Sequence, residues 1–321
     1  MKQASYTAGS ADIRTLLTRL SDAHVARGRP LLPLTRWLRG PLRWYYHRSR
    51  LLRHDDRRFL KPRLLTRLHT TFVGECPADF TIYGGRVRFR STGSVMSLHG
   101  YYVGEIEYHL MRYVVSQLRP NMVMLDVGAH HGAFTTVVAY ELKQRGWKGL
   151  IHSFEPDPRN FTLLEHNVRS NGLEDYVVLH KQAVADRSGV QTFHMFRQEN
   201  SANTLEGADD VSDFAPDTIV SQQVETVALD DLRDILPTVQ LIKMDIQGAE
   251  PLALEGARDV LVRDRPILVI ESVPGHRARP QVFSFLQANR YTISGLTAES
   301  RLCALESPEV FVSWDWVALP C

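Results

Sequence analysis

Three short stretches of this 321-residue chain combine residue types that can hold a cofactor and move a proton. The first, Asn121 to Gly132, reads NMVMLDVGAHHG: an apolar run ends in Asp126, Gly128 follows, and Gly132 comes four residues later. Such a strand–loop–helix turn cradles adenosine-containing cofactors at the carboxyl end of a parallel strand. Gly128 and Gly132 matter because a β-carbon would block the turn or the approach of ligand to backbone. The loop between them is Ala129-His130-His131, so the second glycine of a dinucleotide fingerprint is missing. A pyrophosphate needs that bare position. S-adenosylmethionine does not, and the loop favours it.

The second stretch is the predicted strand Leu150 to Phe154, closed by Glu155-Pro156. A strand-end carboxylate there is placed to accept both hydroxyls of a ribose and to repel a 2′-phosphate. Further on, Asp186 could receive the adenine amino group, although it sits in Asp-Arg-Ser-Gly, which is also an ordinary turn. Backbone groups near Ala183 could serve the same purpose.

The third stretch runs from Val239 through Lys243-Met-Asp245 to Gln247-Gly-Ala-Glu250, with Glu271 and His276 after the next strand. Lys243 and Asp245 are two residues apart and share one face of a strand. Asp245 is the first candidate to take a proton from an alcohol acceptor, work that calls for a base within hydrogen-bond reach. Pairing with Lys243 would weaken it as a base. Asp245 would then orient the hydroxyl, bind a metal, or only tie strand to helix. Glu250 suits the first turn of a helix, where negative charge is favoured, or a substrate contact. His276 is a rival base with a pKa nearer neutrality. Asp245, Glu250 and Glu271 could supply oxygens to a divalent metal, but no tight ligand spacing demands one.

These residues need strands to end at them. Between residues 121 and 290, apolar runs alternate with helical patterns, which predicts a parallel α/β sheet covered on both faces. The third strand should run from Tyr176 to Ala185, and one helix should run from the 247–250 turn to about Val262. Upstream, Phe80–Tyr83 and Arg86–Arg90 around Gly84-Gly85 predict a hairpin, and residues 104–118 a helix stopped by Pro120. Residues 199–220 form a polar, acidic loop suited to substrate contact, with Asn200, Ser201, Asn203 and Thr204 at its start.

The composition is that of a globular protein, 44% hydrophobic and 23% charged. No apolar run approaches the roughly 18 residues of a membrane span, and the N-terminus lacks the apolar core of a secretory signal. Cys76, Cys303 and Cys321 are scattered, indicating neither a disulfide framework nor a zinc site, and a reduced, cytoplasmic setting is expected. Residues 1–70 hold 16 of the 38 Lys and Arg but only four of the 36 Asp and Glu, a net of +12 against −10 for the remainder. Arginines alternate there with Trp37, Trp44 and Tyr45. Such a helical extension could lie on an anionic membrane surface, pack on the acidic remainder, or contact a dimer mate. No nucleic-acid-binding module accompanies it.

Together, Asp126 to Gly132, Phe154-Glu-Pro-Asp-Pro158 with Asn167 and Asn171, Leu229-Asp230, Lys243 to Glu250, and Glu271 resemble the FkbM family of S-adenosylmethionine-dependent methyltransferases. The resemblance covers residues 104 to 271. It implies a class I methyltransferase fold, Rossmann-like, with seven strands of which the last is antiparallel and inserted next to the end. It also implies O-methylation of a sugar, glycan, glycolipid or polyketide-like metabolite. His130 stands where the family often has Asn, keeping a hydrogen-bonding group beside the cofactor. Gln247 stands where many members have Glu, and it can act neither as a base nor as a strong ligand for a hard cation. The expected organisation is a basic extension (1–70), a hairpin segment (71–103) and a methyltransferase domain (104–321). Two other readings use the same residues: an NAD-dependent oxidoreductase, and a non-catalytic scaffold recruiting partners through residues 1–70.

Overall fold

The computed structural model describes residues 78–92, 106–196, 203–208, 219–297 and 300–321. The expectations for residues 1–70 and for most of the 199–220 loop lie outside these.

A hairpin comes first, with β1 (Ala78–Ile82) antiparallel to β2 (Val87–Ser91). Helix α1 (Tyr108–Ser116) follows, then the glycine-loop strand β3 (Met122–Val127), buried along its whole length. Helix α2 (Ala133–Gln144), β4 (Gly149–Phe154) and α3 (Pro158–Ser170) succeed it. Asp157 caps α3 by accepting from the Arg159 amide, and Pro158 occupies the first turn, where a missing N–H costs nothing.

Strand β5 spans Val177–His180, shorter than the sequence predicts. The continuation is a separate strand, β6 (Ala183–Val184), which leaves the main sheet and pairs with another. The chain then forms β7 (Gly189–Phe196), β8 (Thr204–Leu205) and β9 (Ile219–Val227), giving a four-stranded sheet in the order β6-β9-β7-β8. Strand β10 (Leu241–Met244) returns to the main sheet. The single helix expected after it is two, α4 (Glu250–Glu255) and α5 (Arg258–Asp264), broken at Gly256, the weakest helix former after proline. The chain finishes with β11 (Ile267–Glu271), α6 (Ala278–Ala288), β12 (Tyr291–Leu296), β13 (Leu302–Ala304) and β14 (Asp315–Pro320).

The main sheet runs β13-β12-β14-β11-β10-β3-β4-β5. Strands β11, β10, β3, β4 and β5 are parallel, and β14 is antiparallel to both β11 and β12. This is the class I methyltransferase arrangement, with β13 added as an eighth strand at one edge. Alternate residues of β3 feed two cores: Met122 and Met124 pack with α2 on one face, and Val123, Leu125 and Val127 with α4 and α5 on the other. The chain leaves β3 in one direction through β4 and in the other through β10. Their carboxyl ends therefore flank a crevice at the point where strand order reverses, the usual ligand position in such sheets.

The hairpin joins neither larger sheet. Two asparagines one turn apart on and just beyond α3 bind it instead. Asn167 Oδ1 accepts from the Arg90 amide at 2.7 Å, and Asn167 Nδ2 donates to Arg90 O and His131 O, each at 2.8 Å. Asn171 repeats the pair with the amide and carbonyl of Arg88 at 2.9 and 2.8 Å. The side-chain amides substitute for a neighbouring strand. Asn167 is fully buried, so Asn167→Ala leaves three inward-facing backbone groups without this partner. The expected loss is about 2–4 kcal/mol in urea unfolding, against at most ~1 kcal/mol for Asn171→Ala at the more exposed end.

Candidate active site

Lys243 on β10 lies in register with Asp126 on β3. Its ammonium sits 3.4 Å from Asp245 Oδ2 and 3.9 Å from Asp126 Oδ1, over the ring of Phe134. Lys243 and Asp126 are buried, whereas the Asp245 side chain keeps 22% of its surface exposed. Burial alone would pull the Lys243 ammonium down, but Asp245, Asp126, Glu107 and Glu271 around it push it above the ordinary lysine value. Burial pushes the Asp126 carboxyl up, against the pull of Lys243 and Thr135. Asp126 Oδ2 accepts from the amide and hydroxyl of Thr135 at 3.1 and 2.6 Å. Asp126 Oδ1 has no hydrogen-bond partner among the described residues. Asp126 thus fixes the start of α2 and balances the lysine, while Asp245 is the member that reaches the crevice.

Gln247 extends this array. Its amide nitrogen donates to Asp245 Oδ1 at 2.7 Å and to Glu271 Oε2 at 2.5 Å. The array therefore links the carboxyl ends of β10 and β11. Glu250, buried, accepts from the Ile246 amide on Oε1 and the Gly248 amide on Oε2, each at 3.0 Å. Burial pushes its carboxyl up to about 7. Both its oxygens hold the 246–248 turn at the start of α4, which is the capping task expected of Glu250. His276 lies half-buried in the turn between β11 and α6. Among the described residues, no group of three or more His, Cys, Asp or Glu could hold a metal ion.

The glycine loop presses directly on this array. A β-carbon at Gly128, whose φ is +78°, would lie 2.1 Å from Asp245 O. At Gly132 (φ +82°) it would meet Leu164 Cδ1 at 2.4 Å. Between them Ala129 is buried, and His130 is half-buried with φ 52°. Gly128 and Ala129 donate their amides to Phe154 O at 3.1 and 2.9 Å, which anchors the loop to the end of β4.

Glu155 is buried at that same strand end. Its Oε1 accepts from the Asp157 amide at 2.9 Å and from Asn160 Nδ2 at 3.4 Å; its Oε2 accepts from the His130 amide at 2.9 Å. A carboxylate oxygen carries two lone pairs, so Oε2 is the one with capacity for a ligand hydroxyl. The expectation of a carboxylate wholly open to both ribose hydroxyls narrows to that oxygen. Burial pushes the Glu155 carboxyl up to about 7. Pro156 is half-buried beside it. Ala183 is buried in β6, and half-buried Asp186 pairs with Arg187 at 3.2 Å.

Asn203 and Thr204, read from sequence as substrate contacts, are buried ties between the small sheet and the crevice. Asn203 Nδ2 donates to Asp157 Oδ2 at 2.8 Å, and Thr204 Oγ1 donates to Gln247 O at 2.9 Å. Sequence reasoning passed over Thr135, Asn160, His131 and Glu107. His131 lies in the glycine loop, whose signal is its glycines; Thr135, Asn160 and Glu107 lie in or at the start of α2, α3 and α1, outside the motifs.

The sequence profile of the methyltransferase FkbM domain matches residues 126–293. The chain belongs to this family. It is 30% identical over 167 residues to 2-O-methyltransferase NoeI of Sinorhizobium fredii, an overlap of 48% of this chain and 65% of that protein, less than two thirds of the relative's length. Among solved structures it is similar to methyltransferase FkbM from Methylobacillus flagellatus at 20% identity and a TM-score of 0.41, covering 70% of this chain and 53% of that one. It is also similar to a SAM-dependent methyltransferase from Agrobacterium tumefaciens at 11% identity and a TM-score of 0.40, covering 77% and 71%.

Lys243→Met should destabilise the protein by about 3–5 kcal/mol, since removing one member of a buried ion pair strands the other. The deficit should shrink as pH is lowered, because burial raises the Asp126 carboxyl and the stranded group binds a proton more readily when folded than unfolded. Urea midpoints of both proteins at neutral and lower pH check this.

Proposed function

We propose that this protein transfers a methyl group from S-adenosylmethionine to a hydroxyl oxygen of a sugar, glycan or related hydroxylated metabolite. The observation that carries the reading is the contact between the glycine loop and the Lys243–Asp245–Gln247–Glu271 array, which puts a cofactor cradle against a fixed, partly exposed carboxylate.

The residues present fit the cofactor. Gly128 lets the loop pack directly on the Asp245 carbonyl beside the carboxyl ends of β3 and β10, and Glu155 Oε2 has capacity for a ribose hydroxyl. Leu164 packs against Gly132, and His130 stands where a dinucleotide site needs bare backbone, which disfavours NAD. When bound, S-adenosylmethionine supplies a methyl group already activated on a sulfonium centre. The protein's remaining task is to align an acceptor and to receive its proton.

Asp245 is the residue assigned to that proton. Lys243 and Gln247 hold its two oxygens in a set direction, and its side chain keeps 22% of its surface exposed at the crevice. Glu271 and Glu107 add negative charge nearby, which suits an uncharged, hydroxyl-rich acceptor better than a phosphorylated one. Similarity to a protein called a 2-O-methyltransferase supports the choice of oxygen as acceptor atom.

Labelled S-adenosylmethionine incubated with a panel of neutral glycosides should give methyl ethers. Asp245→Asn should lower kcat by about 10²–10⁴-fold, with cofactor affinity changing far less. Transfer that is undiminished in the variant, or absent for every hydroxyl acceptor, would refute the assignment. A hydroxyl donating to Glu155 favours the ionised carboxyl, so cofactor affinity should rise with pH through about 7 and level off above it. Calorimetric titration with S-adenosylhomocysteine between pH 6 and 8.5 measures this.

A further inference from the structure

The glycine loop contains a second histidine that this chemistry does not use. His131 is 2% exposed, and both its ring nitrogens have partners on other elements. Nδ1 lies 2.7 Å from Ser91 Oγ, at the end of β2, and Nε2 lies 3.1 Å from Asn160 Oδ1, in the first turn of α3. The donor directions are forced. An amide oxygen only accepts, so Nε2 carries the hydrogen, and Nδ1 is left with a lone pair that receives the Ser91 hydroxyl. Asn160 then turns its amide nitrogen to Glu155 Oε1, at 3.4 Å. The opposite orientation of Asn160 would set its oxygen against a carboxylate. Burial, reinforced by the neighbouring His130, holds the His131 imidazole well below its ordinary value, in the neutral form this arrangement requires.

The chain Ser91 → His131 → Asn160 → Glu155 therefore runs in one direction through four buried side chains, from the hairpin to the carboxylate assigned to the ribose. With the Asp157 amide, it fills Oε1 from behind and leaves Oε2 turned to the ligand side. We propose that His131 and Asn160 are positioning residues for cofactor recognition, and that the β1–β2 hairpin takes part in it through Ser91. The inference rests on Glu155 receiving a ribose hydroxyl.

Two properties follow for the full-length protein. S-adenosylhomocysteine should bind at least tenfold more tightly than its 2′,3′-dideoxy analogue, and the ratio should fall toward one in His131→Gln. In Asn160→Asp a second carboxylate faces Glu155, so the midpoint of the pH dependence of cofactor affinity should move up by a unit or more. Glu155→Gln should abolish that dependence. Ser91→Ala removes only the outermost hydroxyl and keeps the fold if the inner variants lose it; it should lower the ratio severalfold. Calorimetric titration reads each case. A wild-type ratio near one overturns the ribose assignment itself. A large wild-type ratio that Ser91→Ala and His131→Gln leave unchanged, or a pH midpoint unmoved in Asn160→Asp, overturns the positioning role alone.

Discussion

A single buried ammonium organises this molecule. Lys243 is paired across adjacent parallel strands with Asp126, and along its own strand with Asp245. Its position at the reversal of strand order means that the two halves of the sheet meet over one charge. Without it, two carboxylates would stand close together in a place largely closed to water, and one would have to neutralise. With it, Asp126 remains a fixed acceptor for the first turn of α2, and Asp245 remains an oriented acceptor at the mouth of the crevice. Fold and chemistry draw on the same ion.

Around that charge, the loops are held by side chains bonding to backbone rather than by sheet pairing. Glu155 ties the glycine loop to the start of α3, Glu250 closes the turn after β10, and Asn203 brings the small sheet onto Asp157. Each of these residues is buried with its polar atoms engaged. Buried polar networks rigidify when fully satisfied, and the proposed transfer would draw on that rigidity to align an acceptor.

The sheet was legible in the sequence because parallel strands buried on both faces read as largely apolar stretches, as Met122 to Leu125 in β3 and Ile267 to Ile270 in β11 do, and because these alternate with helical patterns. The crevice was legible because Asp126, Glu155, Asp245 and Glu271 all lie at or next to the ends of such stretches. The misreadings have local causes. His180 and Ala183 are three residues apart, and nothing in so short a gap signals a change of sheet. Asn203 and Thr204 are polar residues in a polar stretch, and only their partners on Asp157 and Gln247 reveal them as ties. Strand β13 is three residues long with all three side chains exposed, too short for an alternation to announce it. Residues such as His131 and Asn160 work through contacts between elements far apart in sequence, which spacing does not encode.

The docking of the hairpin by Asn171 has a chemical corollary. Asn171 is followed by Gly172, the pairing in which an asparagine amide is most readily lost, because an unhindered backbone nitrogen can attack the side-chain carbonyl. Here the Gly172 nitrogen donates to Arg169 O at 3.0 Å as part of the helix terminus, and the Asn171 amide is occupied by Arg88. The native state thus shields the bond that it depends on. Each unfolding excursion lifts that protection, and a single deamidation would replace the donor facing Arg88 O with an anionic oxygen. The covalent lifetime of the chain is set in part by how seldom this helix end opens.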